Sequence, residues 1–188
     1  MGNLRIIGGA HRRRVLKFPD VPGLRPTPDR VRETLFNWLG QDLTGQTCLD
    51  LFAGSGALGL EAASRGAARV VMVERSPQVA AALKANAKLL GLGCVEVVVA
   101  DALQFAASAG VPAGGFDVVF LDPPYRQGFL ERLEAHLPRL LRPEGALYAE
   151  AEAQLAGLAG WTPVREGRAG QVFYHLLRQA EHDGARAA

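Results

Sequence analysis

The chain has 188 residues, a hydrophobic fraction of 48% and a formal net charge of +2. That is enough for one sizeable α/β domain with a packed core and a short extension, and no uninterrupted apolar stretch approaches the roughly 20 residues of a membrane span or reads as a signal peptide. Two cysteines (Cys48, Cys94) and four histidines (His11, His136, His175, His182) show no metal-ligand spacing, so no metal is expected, and both thiols read as buried groups of a reducing cytoplasm.

In chain order, residues 4–8 and 15–18 read as two short strands around a basic turn, a hairpin. A proline-rich connector covers residues 19–26. Thr27-Pro28 reads as an N-cap followed by a proline at the first helical position, and the helix runs to Leu39 with Val31, Leu35, Phe36 and Leu39 on one face. Five strands follow near 47–51, 69–74, 95–99, 116–121 and 145–150, with helices near 57–65, 77–90, 102–108 and 129–141. The first four strands are nearly all apolar, as expected when helices cover both faces of a sheet. Two last strands, 162–166 and 171–177, joined by residues 167–170, read as a hairpin that places an antiparallel strand in a mostly parallel sheet. The domain layout expected is a basic N-terminal extension (1–26), a main domain (27–179) and a flexible tail (180–188).

The small net charge hides an uneven distribution. Residues 1–32 hold eight Lys/Arg (Arg5, Arg12, Arg13, Arg14, Lys17, Arg25, Arg30, Arg32) against Asp20 and Asp29, a net of +6; the remaining thirteen bases and seventeen acids give −4. A solvated charged face explains most such runs, but an asymmetry of this kind also suits a polyanion at the N-terminal part.

Two motifs carry chemistry. Asp122-Pro123-Pro124-Tyr125 closes the apolar run 118–121. Asp and Pro-Pro mark loops anywhere. An acid, two stiff prolines and an aromatic ring at a strand end also suit the methylation of an exocyclic base amine. The lone pair of such an amine is delocalised into the ring. Asp122 and the Pro123 carbonyl can accept its two hydrogens and draw the nitrogen toward a tetrahedral shape, while Tyr125 stacks on the base and the prolines preorganise the loop. Arg126, next in the chain, suits a nearby phosphate or an ordinary surface position equally.

The second motif, residues 49–59, reads as strand, glycine turn and helix start: Asp50, Leu51, Phe52, Ala53, Gly54, Ser55, Gly56 and on to Gly59. Its Gly54-x-Gly56-x-x-Gly59 spacing also matches a dinucleotide fingerprint, with Glu74 twenty residues on, so the glycines alone leave a nicotinamide-dependent oxidoreductase open. Asp50 would repel a pyrophosphate and attract the cationic ammonium end of S-adenosylmethionine. Glu74 can accept both ribose hydroxyls, and Asp101, followed by Ala102, can accept from the adenine amine. Each acid alone reads equally as a cap or a loop residue. Four acids (Asp50, Glu74, Asp101, Asp122) at successive strand ends mark the ligand-binding edge of an open α/β sheet.

With both motifs placed, the chain is similar to the class I S-adenosylmethionine-dependent methyltransferases with a Rossmann-like sheet. More narrowly it resembles the RsmD family, which methylates a guanine 2-amino group in bacterial 16S ribosomal RNA. The resemblance covers nearly the whole chain. Its most specific parts are Arg5-Ile6-Ile7-Gly8-Gly9 and the run from Gly23 to Leu39, joined by residues 49–59 and 122–125. It implies a seven-stranded sheet with the last strand antiparallel, S-adenosylmethionine as methyl donor, and the assembled or assembling 30S subunit as substrate. Relatives usually carry Arg-Gly-Arg where this chain has Arg12-Arg13-Arg14. A cytoplasmic monomer is expected, in contact with no membrane. Arg5, Arg12, Arg13, Arg14, Lys17, Arg25 and Arg126 are the candidate RNA contacts. Three alternatives stay open on sequence: a DNA or other RNA amine methyltransferase of this fold, the oxidoreductase, and a non-catalytic RNA-binding protein with a relic pocket.

Overall fold

The structure, a computed structural model, describes residues 1–108, 111 and 113–179. The expected tail, residues 180–188, lies outside the described residues. A two-stranded antiparallel hairpin, β1 (Gly2–Arg5) and β2 (Val15–Phe18), precedes helix α1 (Asp29–Leu39). The α/β units follow: β3 (Thr47–Asp50), α2 (Gly59–Ser64), β4 (Arg69–Glu74), α3 (Pro77–Leu89), β5 (Val95–Val99), α4 (Ala102–Ala107), β6 (Phe116–Leu121), α5 (Phe129–Leu133), α6 (Leu137–Leu140), β7 (Leu141–Ala151), β8 (Trp161–Ala169) and β9 (Val172–Gln179). Strands β3 to β9 form one sheet in the order β5-β4-β3-β6-β7-β9-β8, in which only β9 runs antiparallel to its neighbours. This is the mostly parallel, Rossmann-like sheet that the resemblance implies, seven strands with one reversed.

Strand alternation splits the core into two layers. Cys48, Val70, Met72, Val118, Phe120 and Tyr148 face one layer, formed by α1, α2, α3 and the hairpin. Leu49, Val71, Val73, Val119, Leu121 and Leu147 face the other, formed by α4, α5 and α6. The hairpin contributes Leu4, Ile6, Leu16 and Phe18 to the first layer, so its basic turn hangs from the same core as the sheet.

A different fold detail appears at three places. The helix expected at 129–141 is broken into α5, a 3₁₀ turn (Glu134–His136) and α6. Pro138 lacks the N–H that would bond to Glu134, and the chain tightens to pass it. Second, α1 is capped by Pro28, without a side-chain hydrogen bond, rather than by Thr27. Third, Cys48 is fully buried but Cys94 only partly. Burial first, then the charges of Asp117 and Asp50, push the Cys48 thiol up to about 12.

Arg32, counted above with the basic run, is inside the protein, 1% exposed. Its guanidinium donates to the backbone oxygens of Thr27 (3.1 Å) and Arg5 (2.9 Å) and pairs with Asp29 and with Glu61 (3.2 Å). Glu61, also buried, accepts in addition from the N–H groups of Ile7 (3.0 Å) and Gly8 (2.7 Å) and from Arg65 Nε (2.9 Å). One carboxylate on α2 therefore ties together the hairpin, α1 and its own helix. Among the described residues no helix is long and apolar enough to cross a membrane.

Candidate active site

The chain order β3-β4-β5 runs to one side of the sheet and β6 starts on the other side of β3. The adjacent ends of β3 and β6 thus form the switch point where α/β sheets open a crevice. A cleft of about 790 Å³ lies there. It is lined by Asp50, Phe52, Ala53, Gly54 and Ser55 from the first motif, by Glu74, Asp101 and Ala102, and by Asp122 through Tyr125. The two motifs, seventy residues apart in sequence, face each other across it. Of the residues expected at the cofactor side, only Gly56 is outside the wall.

The first bend is shaped by glycine at specific points. Gly54 has φ +51, and a Cβ there would meet Leu24 Cδ1 of the connector at 3.1 Å and the Phe52 carbonyl oxygen at 3.9 Å. Gly56 has φ +86, and its Cβ would strike Leu60 and Leu83 within 2.8 Å. Gly56 therefore serves the turn and its packing. Gly59 lies flat on β4: a Cβ would come within 2.9 Å of the Met72 side chain. Its N–H donates to Asp50 Oδ2 (2.9 Å).

The acids of this edge differ in how far the protein satisfies them. Asp101 caps α4, accepting from Leu103 and Gln104 N–H through Oδ1 (2.9 and 3.1 Å). Glu74 accepts from Gly54 N–H through one oxygen (3.0 Å) and from Ser76 N–H through the other (2.7 Å), which fixes the bend to β4 and leaves lone pairs on both oxygens. Asp50 is 1% exposed, and its Oδ1 has no hydrogen-bond partner among the described residues. Burial, followed by the charges of Asp122 and Glu74, pushes its carboxyl up to about 7. A buried acceptor without a donor, in a wall built around two left-handed glycines, fits a ligand that brings positive charge and suits a pyrophosphate poorly.

At the second motif the sequence reading missed two residues. Glu150, near the end of β7, is 6% exposed, lines the same cleft and stands beside Asp122 in the β6–β7 register. Tyr148, fully buried, donates its hydroxyl to Glu150 Oε1 (2.7 Å). Burial raises both carboxyls, and the Asp122 charge raises Glu150 further. Thr27, expected as a cap, instead directs its hydroxyl to Asp122 Oδ2 (3.5 Å). The signal for Glu150 was its register: it is a fifth acid at the same sheet edge. Tyr125 is the exposed part of the motif, 45% open to solvent. Phe129 of α5 packs edge-on against Phe52 (5.1 Å between centroids) and closes the floor between the two motifs.

The basic residues expected at RNA lie around this cleft rather than in it, apart from Arg25, which lines it together with Arg75 of the β4–α3 turn. Arg12, Arg13, Arg14 and Lys17 are all exposed. Arg13, where relatives usually have glycine, takes φ +71, so the turn keeps a left-handed bend with an arginine in it. Arg5 is half-engaged, paired with Asp29 at 2.6 Å. Arg126, φ +59 beside Tyr125, is exposed and 3.9 Å from Glu152. Among the described residues no group of three or more His, Cys, Asp or Glu could hold a metal ion.

Comparison with known proteins agrees with this arrangement. The family described as "Conserved hypothetical protein 95" matches residues 4–178. Ribosomal RNA small subunit methyltransferase D of Escherichia coli K12 is 47% identical over 184 residues, covering 95% of this chain and 91% of its own. The Haemophilus influenzae protein of the same name is 41% identical over 183 residues, covering 94% of each. A solved Escherichia coli structure described as a methyltransferase superposes with a TM-score of 0.84 at 46% identity, covering 96% of this chain and all of the other. Sequence, sheet order and the two facing motifs lead to one assignment: the chain belongs to the RsmD family of methyltransferases.

Proposed function

We propose that this protein transfers a methyl group from S-adenosylmethionine to the exocyclic 2-amino group of a guanine in 16S ribosomal RNA, within the 30S subunit or an assembly intermediate in the cytoplasm. The single observation that carries this reading is the cleft at the β3/β6 switch point, which the glycine bend and the Asp122–Tyr125 corner line together. The names of the relatives support ribosomal RNA as the substrate.

When bound, S-adenosylmethionine supplies a methyl carbon on a sulfonium; as carbon bonds to nitrogen, its bond to sulfur breaks and the electron pair stays on sulfur. The chain's own residues do the rest. Asp50, with its free Oδ1, receives the ammonium end directly or through water. Glu74 offers its remaining lone pairs to the ribose hydroxyls, and Asp101 offers Oδ2 to the adenine amine. Asp122 and the Pro123 carbonyl accept the two amine hydrogens and orient the nitrogen lone pair. The methylated nitrogen then loses one proton to the Asp122 carboxylate. Tyr125, standing open at the mouth, stacks on the flipped base, a contact worth about 1–3 kcal/mol. The exposed arginines of the hairpin turn hold phosphates, which makes binding steeply salt-dependent. Arg5, Arg25 and Arg126 flank the cleft and extend that path. Residues 1–26 act as the RNA arm and residues 27–179 as the catalytic domain.

The test is a methyl-transfer assay with 30S particles, naked 16S RNA and duplex DNA, followed by mass spectrometry of the RNA. The expected product is one 2-methylguanine in 16S RNA. Asp122→Ala is expected to lower turnover by about 10²–10⁴-fold while calorimetric affinity for S-adenosylmethionine stays within about threefold, well under the ~1.4 kcal/mol of a tenfold change. Transfer to duplex DNA alone would move the chain to the rival amine-methyltransferase reading.

A further inference from the structure

Glu150 is tied into the cleft from three sides. It sits on β7, the strand next to β6, whose end carries Asp122. Its Oε1 takes the Tyr148 hydroxyl at 2.7 Å, and the β6–β7 register, with Leu121 beside Ala149, sets its carboxyl next to that of Asp122 in the same cleft wall. Thr27 approaches Asp122 from the connector. Two carboxyl groups can share a hydrogen bond only if one of them carries a proton. The other titratable groups facing the pair are Tyr125 beyond β6, Tyr148 on β7, Tyr174 on β9, Asp50 on β3 and Glu152 past β7. All are acids or phenols. Among the described residues no Lys or Arg forms an ion pair with either carboxylate. Arg25 and Arg75 line the same cleft but form no ion pair with either carboxyl, so the pair holds a proton instead.

We propose that Glu150 is a positioning residue for methyl transfer: it keeps the shared proton and donates it to Asp122, so that Asp122 stays ionised and aimed as the acceptor for the exocyclic amine. This rests on the amine-methylation reading above. Tyr148 fixes the rotamer by binding Oε1, which leaves Oε2 to carry the proton toward Asp122. Burial raises both carboxyls and the Asp122 charge raises Glu150 further, so the pair keeps its proton into neutral pH, and Glu150, held by the Tyr148 hydroxyl, is the seat we assign to it. Loss of that proton at higher pH leaves two facing carboxylates, and Asp122 is pushed off its position. During transfer the amine proton goes to Asp122 and leaves to solvent with the product. Glu150 returns to its starting state without net gain or loss.

The experiment measures kcat and KM on 30S particles from about pH 6 to 9 for wild type, Glu150→Ala and Glu150→Gln. Wild-type kcat should fall on the alkaline side. Glu150→Ala should lose about tenfold or more in kcat at pH 7, with KM for the particle within about twofold, since a positioning contact of one hydrogen bond to a charge is worth this much. Glu150→Gln, a permanent donor, should restore most of that loss and abolish the alkaline fall. Equal behaviour of the Ala and Gln variants, or an alkaline fall that persists in Gln, overturns the proposal. Carboxyl-¹³C NMR of the cofactor-free protein tests it without turnover. The Glu150 signal should titrate well above ~4.3, the ordinary glutamate value, and drop in Asp122→Asn; an ordinary midpoint in the wild type overturns it. Failure of the wild type to methylate any guanine amine would instead sink the functional reading, and this proposal with it.

Discussion

The protein buries charge in two regions, and they are built in opposite ways. Around α2, Glu61 is surrounded by Arg32, Arg65 and two backbone N–H groups, and Arg32 is in turn saturated by Asp29 and two carbonyls. Every buried charge there has its opposite. Across β3, the cleft gathers the buried Asp50 and Glu150 and the half-buried Asp122, and among the described residues none of the three has an ion pair. The first arrangement is closed and holds the N-terminal hairpin to the domain. The second is incomplete, with Asp50 Oδ1 left without a partner among the described residues, and in the function proposed above the cofactor's cationic end would complete it. A satisfied network marks structure, while a cluster of raised carboxyls marks a site.

The largest expected effect lies in the closed region. Glu61→Ala would leave Arg32 and Arg65 buried with no carboxylate between them, a loss of about 3–5 kcal/mol, read as a fall in the urea midpoint at constant slope. A loss below ~1 kcal/mol, typical of surface pairs, would erase the contrast drawn above.

Next comes the pH dependence of stability. Asp50, Asp122 and Glu150 have raised folded values, so the stability they permit is complete below about pH 4 and is lost as pH rises through those values. Asp29 and Asp42 behave in reverse. For Asp29, burial works against ionisation, but Arg5 and Arg32 hold it below its usual range; Thr44 lowers Asp42. Their contribution disappears only as pH falls below ~4. His175 is lowered by burial and opposes the cleft acids, gaining stability for the fold as pH rises through ~6.5. Three groups outweigh one. The cofactor-free melting temperature should be lower at about pH 8.5 than at about pH 5.5, and S-adenosylmethionine should narrow the gap. A flat profile would mean that the cleft acids are solvated.

The smallest effect sharpens the comparison at one atom. Asp50→Asn keeps an acceptor for the Gly59 N–H and removes the charge. The cofactor-free protein at alkaline pH should melt higher, by about 2–4 °C per kcal/mol recovered, while S-adenosylmethionine binds about tenfold more weakly, ~1.4 kcal/mol. Calorimetry and a melting curve on the same sample read both.

Much of this was legible in the sequence. The apolar runs at 69–74 and 116–121 coincide with β4 and β6 because strands covered on both faces leave little freedom in composition or register, and the run at 95–99 coincides with β5, the edge strand, which is only partly covered. The acids at their ends followed from that register. Glu150 obeyed the same rule and was passed over, because its strand was read for its apolar residues alone. Arg32 was hidden by counting charge along the chain. The helical period places it three, four and seven positions before Leu35, Phe36 and Leu39, on the face that packs inward, where only a buried acid such as Glu61 can receive it. That partner is twenty-nine residues away, and no local pattern announces it. The break in the 129–141 helix had its cause in plain sight at Pro138.

Gly59 touches no part of the proposed ligands, yet it sets their spacing. Its amide holds Asp50 from one side, and its bare α-carbon lets α2 lie directly on Met72 of β4, two residues before Glu74. A single methyl group at this point would wedge helix from strand and spread Asp50 from Glu74, the two acids proposed above to hold the ammonium and the ribose of the donor. The fit of that proposed site therefore depends on a residue that is no part of its wall.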